Sequence, residues 1–123
     1  MGTRLTADEW RRDLRTALTA AMKARDKPAT NALRSALGAI DNAEAADETA
    51  APAIEAGRIA GGVAGLGAGE VARRELTSDE LVAIVRHEIA DRHAAASELE
   101  GLGAHDRAAL LRGEAAVLQP FVV

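Results

Sequence analysis

Residues 20–44, AAMKARDKPATNALRSALGAIDNAE, decide the fold of this 123-residue chain, because they predict two helices joined by a tight turn. Apolar residues recur at helical spacing on both sides of the turn: Leu14, Leu18 and Met22 before it, then Leu33, Ala36, Leu37 and Ile40. Each series forms one apolar stripe on a helix. A connection of about two residues makes the two helices antiparallel neighbours, with their stripes facing each other.

The ends of this first hairpin follow from capping signals. Thr6-Ala-Asp-Glu9 fits a capping box, which predicts a first helix from Thr6 to about Arg25. Pro28 suits the first turn of a helix, so the second helix is predicted from Pro28 to about Glu44. Gly38 lies inside that helix, where it either permits a close approach of the first helix or is a tolerated weakness, and we favour the close approach.

Residues 45–70 differ in composition from the rest of the chain. Their first half is rich in alanine and acidic residues, and six glycines follow between positions 57 and 69. Pro52 and the glycines discourage regular structure. We therefore predict a flexible insert over 45–70, a long Ala/Gly-rich loop between the second and third helices.

A second hairpin is predicted after the insert. Thr77-Ser-Asp-Glu80 is another capping box, and an apolar series follows at Leu81, Val82, Val85 and Ile89. This third helix should run to about Glu100, where Gly101 and Gly103 stop it.

The fourth helix is predicted over Asp106–Leu118. Its inward positions should be Leu110, Leu111, Val117 and Leu118. Pro120 then ends the helix and leaves an apolar tail, residues 121–123, which either docks on the core or continues into a longer chain.

Together these signals predict an all-α fold in which two packed helical hairpins, about four helices, form a single domain over residues 1–123. Aromatic residues are only 2% of the chain, so the core should consist of Ala, Leu, Val and Ile. There is no cysteine, which excludes disulfides. No apolar run of about 20 residues and no signal-peptide segment is found, so we predict a cytoplasmic protein without a membrane partner.

Charge is distributed unevenly along the chain. The net charge is −4, yet residues 1–34 carry eight Lys/Arg and four Asp/Glu, for a net charge of +4. Four of these cations surround the first turn, and we call them the turn cations: Lys23, Arg25, Lys27 and Arg34. They are either an ordinary solvated helix end or a surface that contacts phosphates. Because no aromatic platform accompanies them, any nucleic-acid contact should follow shape and charge.

Nothing in the sequence predicts catalysis, a metal site or a cofactor. The serines Ser35, Ser78 and Ser97 lack the surroundings of a nucleophile elbow. His87 and Asp91 share a helix face but lack a third metal ligand. The glycine run over 65–69 lacks the Gly-Lys-Ser/Thr ending of a phosphate loop.

Several segments resemble the GatB/YqeY, or YqeY-like, family. They are AMKARDK (21–27), LRSALGAIDNAE (33–44), RELTSDE (74–80), VRHEIADRHAAASE (85–98) and EAAVLQPF (114–121). The resemblance implies an all-helical fold related to the tail domain of the aspartyl/glutamyl-tRNA amidotransferase B subunit, which helps to hold tRNA. It marks Lys23, Arg25, Lys27, Arg34 and Asn42 as residues that bind nucleic acid or a partner. Longer members continue into a second small helical domain, which we expect to be absent here.

Three functions follow as hypotheses. The first is a non-enzymatic accessory module that contacts tRNA, or a tRNA-dependent amidotransferase or synthetase, through its basic hairpin. The alternative is a protein–protein interaction or assembly module, motivated by the alanine-rich faces and the apolar tail. The third is carbon–nitrogen ligase activity with glutamine as amido donor, which the family label implies but for which the chain shows no nucleophile–base pair.

Overall fold

The computed structural model describes residues 6–50 and 75–123, and within these ranges the chain forms four α-helices and no strand. The helices are α1 (Ala7–Lys23), α2 (Lys27–Ala50), α3 (Ser78–Gly101) and α4 (His105–Leu118). A short 3-10 helix, Gln119–Val122, follows α4. The prediction of an all-α fold with two packed helical hairpins is confirmed.

The start of α1 is the predicted capping box. The Thr6 hydroxyl accepts from the Glu9 backbone N–H at 3.2 Å, and the Glu9 carboxylate accepts from the Thr6 N–H at 2.9 Å. A cap of this kind stabilises a helix by about 1 kcal/mol. Leu14 is buried as predicted and Trp10 is buried too, but Met22 is 49% exposed, so its assignment to the buried face was wrong. The last buried residue of α1 is Ala21.

The first turn is a Schellman motif rather than a two-residue link. The Asp26 N–H donates to the Ala21 carbonyl at 2.9 Å, and the Arg25 N–H donates to the Met22 carbonyl at 3.1 Å. This pattern places Arg25 in the left-handed region, with φ 58°. The first helix therefore ends at Lys23, two residues before the predicted end at Arg25.

Asp26 begins the second helix. Its Oδ1 accepts from the Ala29 backbone N–H at 3.1 Å, which is the hydrogen bond of an N-cap side chain. As a result α2 starts at Lys27, one residue before Pro28. It also continues to Ala50, so the predicted end at Glu44 was wrong. Residues 45–50 are alanines and other residues compatible with a helix, and no Gly or Pro occurs between Glu44 and Pro52. The rest of the predicted insert, from residue 51 to 70, lies outside the described residues.

Gly38 does not mark a close helix contact. A Cβ atom placed on Gly38 would meet nothing within 4 Å, so the expectation of a close approach by the first helix was wrong. The two helices instead bury larger side chains such as Leu14 and Leu33. Gly38 is therefore a tolerated weakness in α2.

The second hairpin follows the prediction closely. The Thr77 hydroxyl and the Glu80 carboxylate form the expected capping box at the start of α3. At its other end Gly103 adopts φ 83°, and the Ala104 N–H donates to the Leu99 carbonyl at 2.8 Å, again a Schellman motif. In α4, Leu118 is buried, but Leu110 is 53% exposed and so does not point inward as predicted.

The apolar tail docks on the core. Val122 is buried, and the ring of Phe121 lies 6.4 Å from the ring of Trp10. The tail thereby connects the end of the second hairpin to α1. None of the described helices combines the length and apolarity that a bilayer crossing needs.

The core lies between the two hairpins. α3 and α4 pack most extensively on each other, and α2 contacts all three other helices. The largest fully buried side chains are Leu14, Leu33, Ile40, Leu81, Val85 and Leu118. The burial of each contributes about 1.5–3 kcal/mol, so aliphatic side chains supply most of the core of this fold.

Candidate nucleic-acid interface

The turn cations lie where α1 ends and α2 begins. Lys23 is the last residue of α1, Arg25 lies in the turn and Lys27 opens α2. Arg34 follows seven residues after Lys27, which is two helical turns and therefore the same side of α2. All four residues are exposed.

None of the turn cations forms a salt bridge with another residue in the described ranges. The nearest acidic residue in sequence, Asp26, uses Oδ1 to cap α2 through Ala29. The Arg34 guanidinium instead lies beside the Met22 sulfur, with Nη2 and Sδ 3.8 Å apart. The structure thus brings Lys23, Arg25, Lys27 and Arg34 to one exposed end of the first hairpin, where no carboxylate of the described residues forms a salt bridge with them.

Asn42 does not belong to this group. It is exposed on α2, fifteen residues after Lys27, which is about 22 Å along the helix axis. Its neighbours there are the acidic residues Asp41 and Glu44. Of the five residues predicted to form the site, four lie together and Asn42 lies near the other end of the hairpin.

Arg11 behaves differently from the turn cations. Its guanidinium pairs with the Asp41 carboxylate at 3.3 Å and with the carboxylate of Glu44, which is buried. Asp8 approaches the same guanidinium at 3.9 Å. These pairs hold α1 against α2 at the end opposite the turn, so Arg11 stabilises the hairpin and is not free for a ligand.

A second group of charges connects three helices, and we call it the interhelical cluster: Ser35, Glu88, Arg92 and Glu114. Arg92 donates to Glu88 at 2.9 Å and to Glu114 at 2.8 Å. The Ser35 hydroxyl donates to Glu88 at 2.5 Å. The three charged side chains are only 11–15% exposed, so the cluster positions the second hairpin on α2 and has no open face for a substrate.

The histidines do not form a catalytic or metal-binding group. His87 lies 3.2 Å from Asp91 on the exposed side of α3. His105 contacts Glu100 across the second turn, and Arg112 donates to Glu100 at 2.8 Å. The hydrogen bond from Arg112, with a further one from His105, lowers the pKa of Glu100 below its ordinary value. The described residues contain no group of three or more His, Asp or Glu side chains placed to hold a metal.

Sequence reasoning missed two features of the turn. The first is the Asp26 cap, although an Asp directly before Lys27-Pro28 is a recognised start signal. The second is the left-handed backbone of Arg25, for which the sequence offers no signal, since that position of a Schellman motif is usually Gly. Comparison with family models, with curated proteins and with solved structures found no match to this chain.

Proposed function

We propose that this protein is a non-enzymatic accessory module that binds RNA through the turn cations. The observation that carries the proposal is four exposed Lys and Arg side chains on one turn, without a salt bridge to another described residue. A folded protein with a net charge of −4 has carboxylates available to pair such cations. Elsewhere in this chain they do so, as with Arg11 and Arg92.

The arrangement suits phosphates better than bases. Lys and Arg contact backbone phosphates without reading sequence, and residues 15–34 contain five such cations and one carboxylate. Trp10 is buried and Phe121 packs on it, so neither ring is available for stacking bases. Binding by this surface should therefore tolerate different sequences and weaken with salt.

The resemblance to the GatB/YqeY family supports tRNA as the RNA to test first. It relates the chain to a domain that helps to hold tRNA, while the amide-transfer chemistry of that enzyme lies in other parts. In this proposal the protein presents tRNA to, or retains it near, a tRNA-dependent amidotransferase or synthetase.

The test measures binding of labelled tRNA by fluorescence anisotropy as salt is raised from about 50 to 200 mM, a range over which phosphate contacts weaken strongly. The variant Lys23→Gln/Arg34→Gln removes two turn cations. We expect its affinity at about 0.1 M salt to fall at least tenfold, and the slope of log affinity against log salt to fall by about two.

The matched control is Arg86→Gln/Arg107→Gln, which removes the same charge from exposed positions on α3 and α4. It should bind within about twofold of the wild type, because the proposal assigns binding to direct phosphate contacts of the turn cations and not to the net charge of the protein. Equal losses in the two double variants would show that only net charge matters. Absence of salt-dependent binding by the wild type would reject the proposal.

An assembly module is the second candidate, and exposed leucines favour it. Leu102 in the second turn is 81% exposed and Leu110 on α4 is 53% exposed. The apolar tail is a weaker motive, because Val122 is buried in the core of its own chain. If Leu102 and Leu110 mediate assembly, Leu102→Ser/Leu110→Ser should convert an oligomer to a monomer in sedimentation without lowering the melting temperature. A wild-type protein that is already monomeric at high concentration would argue against self-assembly.

A further inference from the structure

We infer that the phosphate-binding surface extends from the turn along the exposed side of α1, and that its ligand is the backbone of an RNA double helix. This inference rests on the proposed function, and it names the form of nucleic acid that the surface takes. The residues concerned form what we call the α1 face: Arg12, Arg15, Thr16, Thr19 and Lys23.

The α1 face follows from helical geometry. These positions lie three, four, seven and eleven residues from Arg12, which places them within about 100° of one another around the helix. All five side chains are exposed. The first four line a groove of about 520 Å³ on the protein surface, together with Asp8 and Arg11 at its far end. The last of the five, Lys23, is also a turn cation, so the two surfaces are continuous.

The charges on this side of α1 are free for a ligand. Arg12 and Arg15 form no salt bridge with another described residue, whereas their neighbour Arg11 is turned toward Asp41 and Glu44. Asp8 lies at the far end of the α1 face and approaches Arg11, and the Glu9 carboxylate beside that end accepts from the Thr6 N–H. The exposed Asp13 lies about 60° outside the α1 face around the helix. Between Asp8 and the turn, the α1 face therefore presents cations and hydroxyls only.

The length and stiffness of this surface favour a double helix. From Arg12 to Lys23 the α1 face extends about 17 Å, in a straight row fixed by the helix. The phosphates of a duplex are likewise held at fixed spacing, so a rigid row of cations can contact several of them without first ordering the ligand. An unpaired strand is flexible and is usually held by stacking on aromatic rings, and the α1 face has none.

The threonines favour RNA over DNA. Arg and Lys can only donate hydrogen bonds, whereas the hydroxyls of Thr16 and Thr19 both donate and accept. A ribose 2′-hydroxyl needs such partners, and the wide, shallow minor groove of an RNA helix displays these hydroxyls beside the phosphates. A helix lying across that groove could contact both groups with one face.

The experiment compares three probes: an RNA duplex of about 16 base pairs, one of its strands unpaired, and the DNA duplex of the same sequence. The wild type should bind the RNA duplex at least tenfold more tightly than the unpaired strand. Arg12→Gln/Arg15→Gln should weaken duplex binding about tenfold or more and lower the salt slope by about two. Thr16→Val/Thr19→Val, which keeps side-chain shape and helix propensity, should weaken binding of the RNA duplex but not of the DNA duplex.

Three results would overturn the inference about the RNA duplex and leave RNA binding by the turn cations intact. They are equal affinity for duplex and unpaired strand, wild-type duplex binding by Arg12→Gln/Arg15→Gln, and equal affinity for RNA and DNA duplexes. In each case Lys23→Gln/Arg34→Gln would still weaken binding. If the wild type binds none of the probes in a salt-dependent way, the proposed function fails as well.

Discussion

The two hairpins close with the same backbone turn but have different residues in its left-handed position. Both turns are Schellman motifs with one residue in the left-handed region, which is Arg25 in the first and Gly103 in the second. Glycine adopts this conformation without strain, whereas a residue with a Cβ loses about 1 kcal/mol. The first hairpin therefore retains an arginine where glycine would stabilise the fold better.

The charges around the two turns differ in the same way. At the second turn Glu100 pairs with both Arg112 and His105, and deeper in the hairpin Arg92 pairs with two glutamates. At the first turn no described carboxylate pairs with the cations. Strained backbone and unpaired charge at one exposed position are typical of a surface kept for a partner. In the second hairpin, Arg92, Arg112 and Glu100 are paired within the fold.

The largest expected effect is in the interhelical cluster. Arg92→Ala leaves Glu88 and Glu114 as like charges that are mostly buried, and removing one member of such a pair costs about 3 kcal/mol. The free energy of unfolding from urea titration would measure this loss. Arg34→Ala is the matched exposed variant, and it should change stability by no more than about 0.5 kcal/mol. Similar losses of unfolding free energy in both variants would mean that the paired arginine of the second hairpin stabilises the fold no more than the exposed arginine of the first.

An exchange of the two left-handed residues should give opposite changes. Arg25→Gly should raise the free energy of unfolding by about 0.5–1 kcal/mol while weakening RNA binding, because it relieves strain and removes a cation. Gly103→Arg should lower it by about 1 kcal/mol or more. Thermal and urea unfolding of both variants would show the signs.

Gly38→Ala is the control for this exchange. Gly38 lies within α2 and a Cβ there would meet nothing within 4 Å, so alanine should stabilise by about 0.5–1 kcal/mol without affecting binding. If Arg25→Gly were destabilising, the left-handed arginine would be held by interactions of its side chain, and strain could not explain the difference between the turns.

The sequence predicted what depends on local chemistry. The two capping boxes at Thr6 and Thr77 and the apolar spacing in four segments are local signals, and the helices begin and pack accordingly. The exposure of Met22 and Leu110 was missed, because an apolar residue at the right spacing is buried only if another helix reaches it. The extension of α2 to Ala50 was missed because an acidic, alanine-rich segment is compatible with either loop or helix.

The candidate site was predictable only in part, for a similar reason. Lys23, Arg25, Lys27 and Arg34 are close in sequence around one turn, so their proximity needed only the correct hairpin. Whether each cation is free or paired depends on residues far away, as the pairing of Arg11 with Asp41 and Glu44 shows. The left-handed conformation of Arg25 runs against its intrinsic preference and follows from the hydrogen bonds of the turn.

The smallest expected effect concerns acid stability at the second turn. Because Arg112 and His105 lower the pKa of Glu100 in the folded protein, the unfolded chain binds a proton at this carboxylate more readily. The stabilising contribution is then complete above the ordinary range of a glutamate, near about pH 4.3, and is lost as pH falls through the lowered pKa. Glu100→Gln should thus be less stable than the wild type near neutral pH and equally stable at low pH.

Glu98→Gln is the matched control, since Glu98 is exposed on the same helix turn and forms no salt bridge with a described residue. Its stability should follow that of the wild type at every pH, while the difference for Glu100→Gln shrinks on acidification. A difference that grows at low pH would mean that the sign of the pKa shift is reversed. If the two variants have the same stability at every pH, the ion pairs of Glu100 do not stabilise the second turn. The two hairpins would then not differ in how they use their charges.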